Sequence, residues 1–389
     1  MRRLCVGLHQ TITERRYTSV DLDFGLCRGI TAAAMLPVIP LIASYRERDG
    51  IDFRLMLPDL SELYRLFVNT GWAHLIQPSR FDLPSESIAH VPVRRFTTPD
   101  EQYEVADRLL EFLMRHISIE RRSLSAFEWA LNEIMDNVLS HADSPEGGFV
   151  QATQYEHAAE FIVADAGMGI PRSLGISDSA AALETAVSEG GTRDSNSNQG
   201  NGLFGAYELA RVSRGQFEIN SAFGTLYLDT QADKRRARNA STPLDGTAVR
   251  CRIDTRESNL LEAALRFEGR QHKPLYDYTE RTFETESGEM VYSVRERAAR
   301  DLGSRSGGVR VRRQIENLLS DQDHVVIDFA DVNVVSSSFA DEVFGRLFVE
   351  LGPRAFMTRI VLRNVDPLID GLIDRAIVQR ARIDNDPNI

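Results

Sequence analysis

Between Phe127 and Ile253, hydrophobic segments alternate with four polar or glycine-rich signatures in a set order, and that series constrains the fold more than any other feature of the chain. The first is helical. SAFEWALNEIMDNVLSH (Ser125–His141) places Phe127, Leu131, Ile134 and Val138 at helical spacing, a stripe expected to face the core. Ser125 with Glu128 three residues later reads as a capping box that opens the helix. Glu133, Asn137 and His141 recur every four residues and therefore line a second face together. Asn132, Asp136 and Asn137 stand mid-helix, where such residues cost roughly a few tenths of a kcal/mol each relative to alanine.

The second signature is EFIVADAGMGIP, in which a strand (Glu160–Ala164) runs straight into Asp165, Gly167 and Gly169. Glycines at alternate positions let the backbone turn sharply and approach a ligand. A carboxylate at a buried strand end can accept a hydrogen bond from an amine. In the third, SNSNQGNGLFGAYELARVS, Gly200 and Gly202 precede a helix expected to begin near Leu203, so free backbone amides would point at an anion. The segment between these sites, Arg172–Gln199, is rich in serine, alanine and glycine and suits a mobile lid. In the fourth, GQFEINS, FGTLYLDT and DGTAVRCRI read as successive strands, with Gly246 and Thr247 just before the last. The basic DKRRARNAS (Asp233–Ser241) reads as a hairpin loop between them. No GxxxxGK[ST] loop occurs, and the two glycine sites are too far apart for a dinucleotide fingerprint.

Composition narrows the class. The 389 residues, 42% hydrophobic and 26% charged, are ordinary for a soluble protein of two to three domains. No apolar run reaches the ~18–20 residues that span a bilayer. The nearest, Ile30–Ala43, is broken by Pro37 and Pro40, so no membrane association is expected. The arginines near the N-terminus have no hydrophobic run behind them, which argues against a secretory signal and for a cytoplasmic protein. Cys5, Cys27 and Cys251 have no CxxC spacing and form neither a disulfide framework nor a zinc site. The net charge of −12 argues against non-specific binding to nucleic acid. Lys234 and Lys273 are the only lysines, so a mechanism that needs a catalytic lysine has two candidates.

The segments on either side of this block resemble each other. VDLDF (Val20–Phe24), an apolar helix-like run, FRLMLP and DLSELYRLFVNTGW are matched near the C-terminus by VVIDF (Val325–Phe329), VSSSFADEVFGRLFVELG and RIVLRNVDPLIDGLIDRAI. Both follow strand–helix–strand–helix, the grammar of a small α/β layer, with Asp23–Pro58 and Asp328–Pro367 separated by 35 and 39 residues. Arg305, Arg310, Arg312 and Arg313 form a basic cluster that reads as a solvated loop and helix face or as a contact for phosphate or an acidic partner.

In their order, ExxxNxxxH, DxGxGI, the GxGL helix start and the Gly-Thr before an apolar strand resemble the ATP-binding domain of the GHKL superfamily. That group comprises gyrase, the ninety-kilodalton heat-shock chaperone, histidine kinases and the MutL proteins, and the resemblance covers roughly Gln102–Ile253. It implies an α/β fold: a central GHKL (Bergerat) sandwich, helices on one face of a mostly antiparallel sheet, holding ATP and Mg2+. By the same resemblance Asn137 would ligate the magnesium ion, Asp165 anchor adenine, and Gly167 and Gly169 let base and ribose approach the backbone. Gly200 and Gly202 would offer amides to the phosphates, Thr247 would support the adenine site, and Glu133 matches the position of a general base. His141 fits a phosphate role or a helix-terminal histidine stabilised by the dipole. No phosphoacceptor box precedes the domain, which argues against a conventional histidine kinase. Lys273 matches the γ-phosphate lysine of gyrase-like ATPases only by lying beyond the domain.

The outer segments resemble STAS domains, the family of anti-anti-sigma factors, and their STAS-like relatives. VIDFADVNVVSSSFADEVFGRL carries the better match and puts Ser337 at the phosphoacceptor position, with Ser336 replacing the usual aspartate and Phe339 the usual glycine. Ser336–Ser338 also suit a simple helix cap. The first copy has Thr31 and Ala32 at the corresponding place and reads as a docking or scaffold version. The expected organisation is therefore a STAS-like domain over 1–90, a GHKL ATP-binding domain over 91–256 and a second STAS-like domain over 270–385. Three functions fit this order: an ATP- and magnesium-dependent conformational switch with ATP hydrolysis assisted by Glu133, an anti-sigma-type serine/threonine kinase acting on a STAS partner, or a nucleotide-sensing module without turnover. Each implies a protein partner met through the STAS-like domains, and the resemblance adds a homodimer and a bacterial regulatory setting as expectations.

Overall fold

AAEFIVAD, an almost wholly apolar octet, forms a strand buried at every position, and the surrounding architecture follows from covering both of its faces. The computed structural model describes residues 1–84, 91–188, 190, 201–256, 260–267, 270–271 and 277–384. The chain divides into two units, both mixed α/β: Met1–Leu110 with Ala126–Lys273, and Glu111–Ser125 with Pro274–Ile389.

In the first unit, β1 (Ser19–Asp23) and β2 (Asp52–Met56) pair in parallel. The strands β3 (Arg94–Phe96), β4 (Gly148–Tyr155), β5 (Ala158–Asp165), β6 (Gln216–Asp229) and β7 (Lys234–Asp254) make an antiparallel sheet in the order β3-β4-β5-β7-β6. The two-residue period of a strand sorts its side chains. Ile162 and Ala164 of β5, Phe149 of β4 and Ala248 of β7 join one core with Trp72, Phe53 and Ile39 of the N-terminal segment. Trp72 Nε1 donates to Gln151 Oε1 across that contact at 3.0 Å. Phe161, Val163 and Asp165 point the other way, where Phe161 meets Phe127 edge to face at 5.0 Å between ring centroids. The N-terminal segment thus covers one face of the sheet and the Arg121–His141 helix the other.

Proline divides the long apolar run that precedes β2. It forms a short helix (Ala32–Met35), a 3-10 turn (Leu36–Val38) and a helix (Ile39–Asp49), with Pro37 and Pro40 in first-turn positions where a missing N–H costs nothing.

Three local expectations are corrected. The helix expected from Ser125 begins at Arg121, because the Asp321 carboxylate accepts from the Arg121 N–H at 2.8 Å, while Ser125 Oγ donates to Asp277 Oδ2 at 3.0 Å and caps nothing. GQFEINS and FGTLYLDT form one strand, β6, that bulges between Ser221 and Gly224. Lys234–Ser241 belongs to β7 rather than to a hairpin loop, pairing residue by residue with Gly224–Asp229 as far as Asn239.

The second unit holds a parallel sheet in which β9 (Val325–Asp328) lies between β8 (Val291–Ser293) and β10 (Ile360–Arg363). The helices Arg305–Leu319 and Pro367–Asp384 and the helical stretch from Ser337 to Leu351 belong to it. Asn317 binds the chain at its own unit's edge, donating to the Met114 and Ile117 carbonyls and accepting from the Ile119 N–H. Its basic cluster is paired internally: Arg305 with Asp341 and Glu342, Arg310 with Asp301, Arg312 with Glu316, Glu342 and Glu350, and Arg313 with Glu316.

Candidate functional site

A pocket of about 890 Å³, its open mouth included, lies in the first unit between the Arg121–His141 helix, the end of β5, the Thr247–Val249 stretch of β7, and the Gly202–Val212 helix. The four-residue spacing does what the sequence implies: Glu133, Asn137 and His141 all line it. Ile134 and Val138 line it too, together with Val163, Ile170 and Val249, so much of its lining is apolar. No hydrogen bond to the side chain of Glu133 or Asn137 is formed among the described residues.

At the far end β5 delivers Asp165, only 4% exposed. Its Oδ1 accepts from the Gly167 N–H at 2.8 Å, and the next amide, Met168, donates to the Ala142 carbonyl at 2.7 Å. That carbonyl explains Gly167. A Cβ there would fall 2.1 Å from Ala142 O, so only glycine lets the loop lie against the helix end. Gly169, at φ +77°, starts the short Ile170–Leu174 helix. Across the β5–β7 ladder Asp165 pairs with Thr247, whose hydroxyl is 3.0 Å from Ser221 Oγ.

Electrostatics single out two carboxyl groups. Burial, with the neighbouring Asp136 charge adding to it, pushes Glu133 up to about 7. Burial also pushes Asp165 up to about 7, against the opposing pull of the Gly167 and Thr247 amides. Both therefore exchange protons near neutrality, the range a general base or a switchable acceptor needs.

Of the residues singled out in the sequence, Glu133, Asn137, Asp165, Gly169, Gly202 and Thr247 meet in this one pocket, and His141 joins them. Gly167 serves the loop packing behind it instead of lining it. Gly200, Lys273 and, within the Arg172–Gln199 lid segment, residues 189 and 191–199 lie outside the described residues. Within that segment, Ser179–Ala186 and on to Ser188 rests on the β6–β7 hairpin: Arg235 donates to Val187 O at 2.7 Å and Ser188 Oγ at 3.1 Å, and the Ala180 N–H donates to Asn239 Oδ1 at 3.0 Å. Ser221 was not foreseen, because a serine inside an apolar strand carries no pattern of its own. Among the described residues no three His, Cys, Asp or Glu side chains converge as a metal site.

In the second unit Ser336 caps the helix that follows, its Oγ accepting from the Phe339 N–H at 3.1 Å, and Ser337 stands exposed as the first helical residue. Residues 307–370, which include these serines, match the family described as "STAS-like domain of unknown function (DUF4325)". That part of the chain is STAS-like, as VIDFADVNVVSSSFADEVFGRL suggests. No curated protein and no solved structure matches the chain significantly.

Proposed function

We propose that the pocket of the first unit binds ATP with magnesium in the manner of GHKL proteins, and that the chain is an ATP-dependent conformational switch that hydrolyses its nucleotide. One observation carries this reading: six residues that the motif pattern selects, scattered from Glu133 to Thr247, line a single pocket. An antiparallel sheet whose Asp165-bearing face is covered by the Arg121–His141 helix, and a glycine at the start of the Gly202–Val212 helix, support it.

The pocket fits such a ligand chemically. Val163, Val249 and Ile170 offer an apolar slot for a flat base, and Asp165 a buried acceptor for an exocyclic amine. The Gly202 end of an eleven-residue helix offers free amides to an anion. A magnesium ion would be held by Asn137 and by the phosphates, supplying charge neutralisation there; with no all-protein cage among the described residues, the nucleotide brings the remaining ligands. Glu133, one turn before Asn137 and poised near neutrality, takes the proton from the attacking water.

A second reading is favoured by Ser337, exposed in the STAS-like segment: Glu133 would then deprotonate a serine hydroxyl of this chain or of a STAS-like partner. The deciding experiment incubates the full chain with magnesium and γ-labelled ATP and counts free phosphate and protein-bound label separately. Free phosphate that disappears in Glu133→Ala and Asp165→Ala supports the ATPase switch. Label kept on protein and lost in Ser337→Ala supports the kinase. Binding of ATP with the label intact leaves a nucleotide sensor, and no binding at all overturns the ATP site.

A further inference from the structure

The guanidinium of Arg2 is spent almost entirely on one short stretch of β6, with one further bond to β7. It donates to the carbonyls of Ala222, Thr242 (3.0 Å) and Gly224 (2.5 Å) and to the side chains of Asn220 (3.2 Å) and Thr225 (3.1 Å). None of the five acceptors is a carboxylate, so the fork is used for its geometry and not for an ion pair. All but Thr242 lie in the β6 bulge or directly beside it, where the register slips on either side of Ala222. Ala222 itself has φ +46°, a left-handed conformation that a residue with a Cβ keeps only when its surroundings hold it there.

The residue before the bulge is Ser221. Its Oγ accepts from the Ile170 N–H at 2.9 Å, donates to the Gly246 carbonyl at 3.0 Å and lies 3.0 Å from the Thr247 hydroxyl. Gly169, Ile170 and Thr247 all line the pocket. A Cβ at Gly169 would come within 2.8 Å of the same Oγ, so the loop and the serine are tightly seated. Bulges beside sites aim side chains, and here the aimed side chain joins the Gly169–Ile170 helix start to the Gly246–Thr247 stretch of β7 at the edge of the pocket.

We propose that Arg2 is a positioning residue for the pocket: by holding the Ala222 bulge it keeps Ser221 tied to the Gly169–Ile170 and Gly246–Thr247 walls. What those walls bind rests on the nucleotide reading above. The N-terminal helix, Arg2–His9, which packs on β7, thereby sets the shape of a site to which it contributes no lining residue. Loss of Arg2 leaves the Ala222 strain unopposed, the bulge relaxes, and the Ile170 amide loses its acceptor. Lysine keeps the charge but cannot span five acceptors.

The test uses the full chain with Arg2→Met, Arg2→Lys, Ser221→Ala and the Arg2→Met/Ser221→Ala pair. Amide exchange of the ligand-free protein is followed by mass spectrometry over Gly167–Ile170, with Ile51–Leu55 in the N-terminal core as control. The expected result is about a tenfold or greater rise in exchange at Gly167–Ile170 in both Arg2 variants and in Ser221→Ala. The control segment stays unchanged, and the double variant adds nothing to either single one, as coupled residues require. Unchanged exchange at Gly167–Ile170, or an equal rise in the control segment, overturns the proposal and leaves Arg2 a plain structural anchor. Calorimetry with ATP and magnesium is run on the same samples. If the wild type binds no nucleotide while the exchange pattern holds, the nucleotide reading falls and the positioning role stands. If wild type binds and Arg2→Lys binds as tightly, the positioning role falls alone. Should Arg2→Met fail to fold, Ser221→Ala and Arg2→Lys still decide.

Discussion

The carboxylate of Glu133 lies against the backbone of Gly202: a Cβ added at that glycine would sit 2.5 Å from Glu133 Oε2 and 3.1 Å from Glu133 Cβ. The helix that would face the phosphates thus begins directly beside the group that would take the proton. Gly202→Ala is therefore a sharp probe. The atom that has to move furthest is the end of a flexible side chain, so the fold should hold and the Tm should change little. The carboxylate has to swing aside, and turnover should fall about tenfold or more, since a displacement near 1 Å at a reacting group costs that much. Calorimetric unfolding beside a phosphate-release assay checks both halves; a variant with full turnover would show that Glu133 does not act from this position.

The acid limb of turnover follows from the same carboxylate. Glu133 must be ionised to accept a proton, so kcat should drop as pH falls through about 7. Burial is the larger cause of that raised value and the Asp136 charge the second. Removing the neighbour's charge with Asp136→Asn should move the limb to lower pH without abolishing activity, whereas Glu133→Gln should remove the limb with the activity. A kcat profile measured from pH 5 to 9 on the three proteins tests this, and a limb that ignores Asp136→Asn would assign the titration to another group.

What the sequence made legible was whatever local pattern dictates. The apolar octet of β5, the four-residue spacing of Glu133, Asn137 and His141, and the prolines that break the run before β2 all act within a few residues of themselves. The misread features depend on partners far along the chain. The Arg121–His141 helix starts early because its cap is Asp321. The arginines of the Arg305–Leu319 helix look solvated until the acids on other elements meet them. The arginine-rich half of β7 lacks apolar alternation because it extends beyond the buried part of the sheet as a two-stranded ribbon, so no periodicity marks it as strand. Ser221 and Arg2 belong to the same class, since their value comes only from where a bulge brings them.

Asp165 should weaken the empty protein. Its folded value of about 7 lies above its ordinary 3.8, so the folded state holds a proton that the unfolded state releases. Stability contributed by that proton is full below pH 4 and is lost as pH rises toward 7. The shift of roughly three units corresponds to about 4 kcal/mol at most. Asp165→Asn keeps an acceptor for the Gly167 N–H and removes the ionisation. Without nucleotide its Tm should exceed that of the wild type at pH 8 and match it near pH 4, while ATP binding is lost. Thermal melts at the two pH values, with calorimetric titration of ATP, check the pair; a variant less stable at pH 8 would mean that the carboxylate is ionised and satisfied in the folded state.

In the second unit Ser336 and Ser337 divide structure from chemistry. Ser336 Oγ accepts from the Phe339 N–H and lies 3.0 Å from Ser338 Oγ, so Ser336→Ala leaves an orphan amide and should cost about 1 kcal/mol. Ser337 is exposed on the first helical turn, and Ser337→Ala should shift stability by no more than about 0.5 kcal/mol. A phosphoryl group on Ser337 would face the free amides of the helix start, where negative charge is stabilised by roughly 0.3–1 kcal/mol. Denaturant titration of the two variants separates the roles. If label from ATP accumulates on the protein, its loss in Ser337→Ala at unchanged stability is a chemical effect, and its persistence there would exclude this serine as the acceptor.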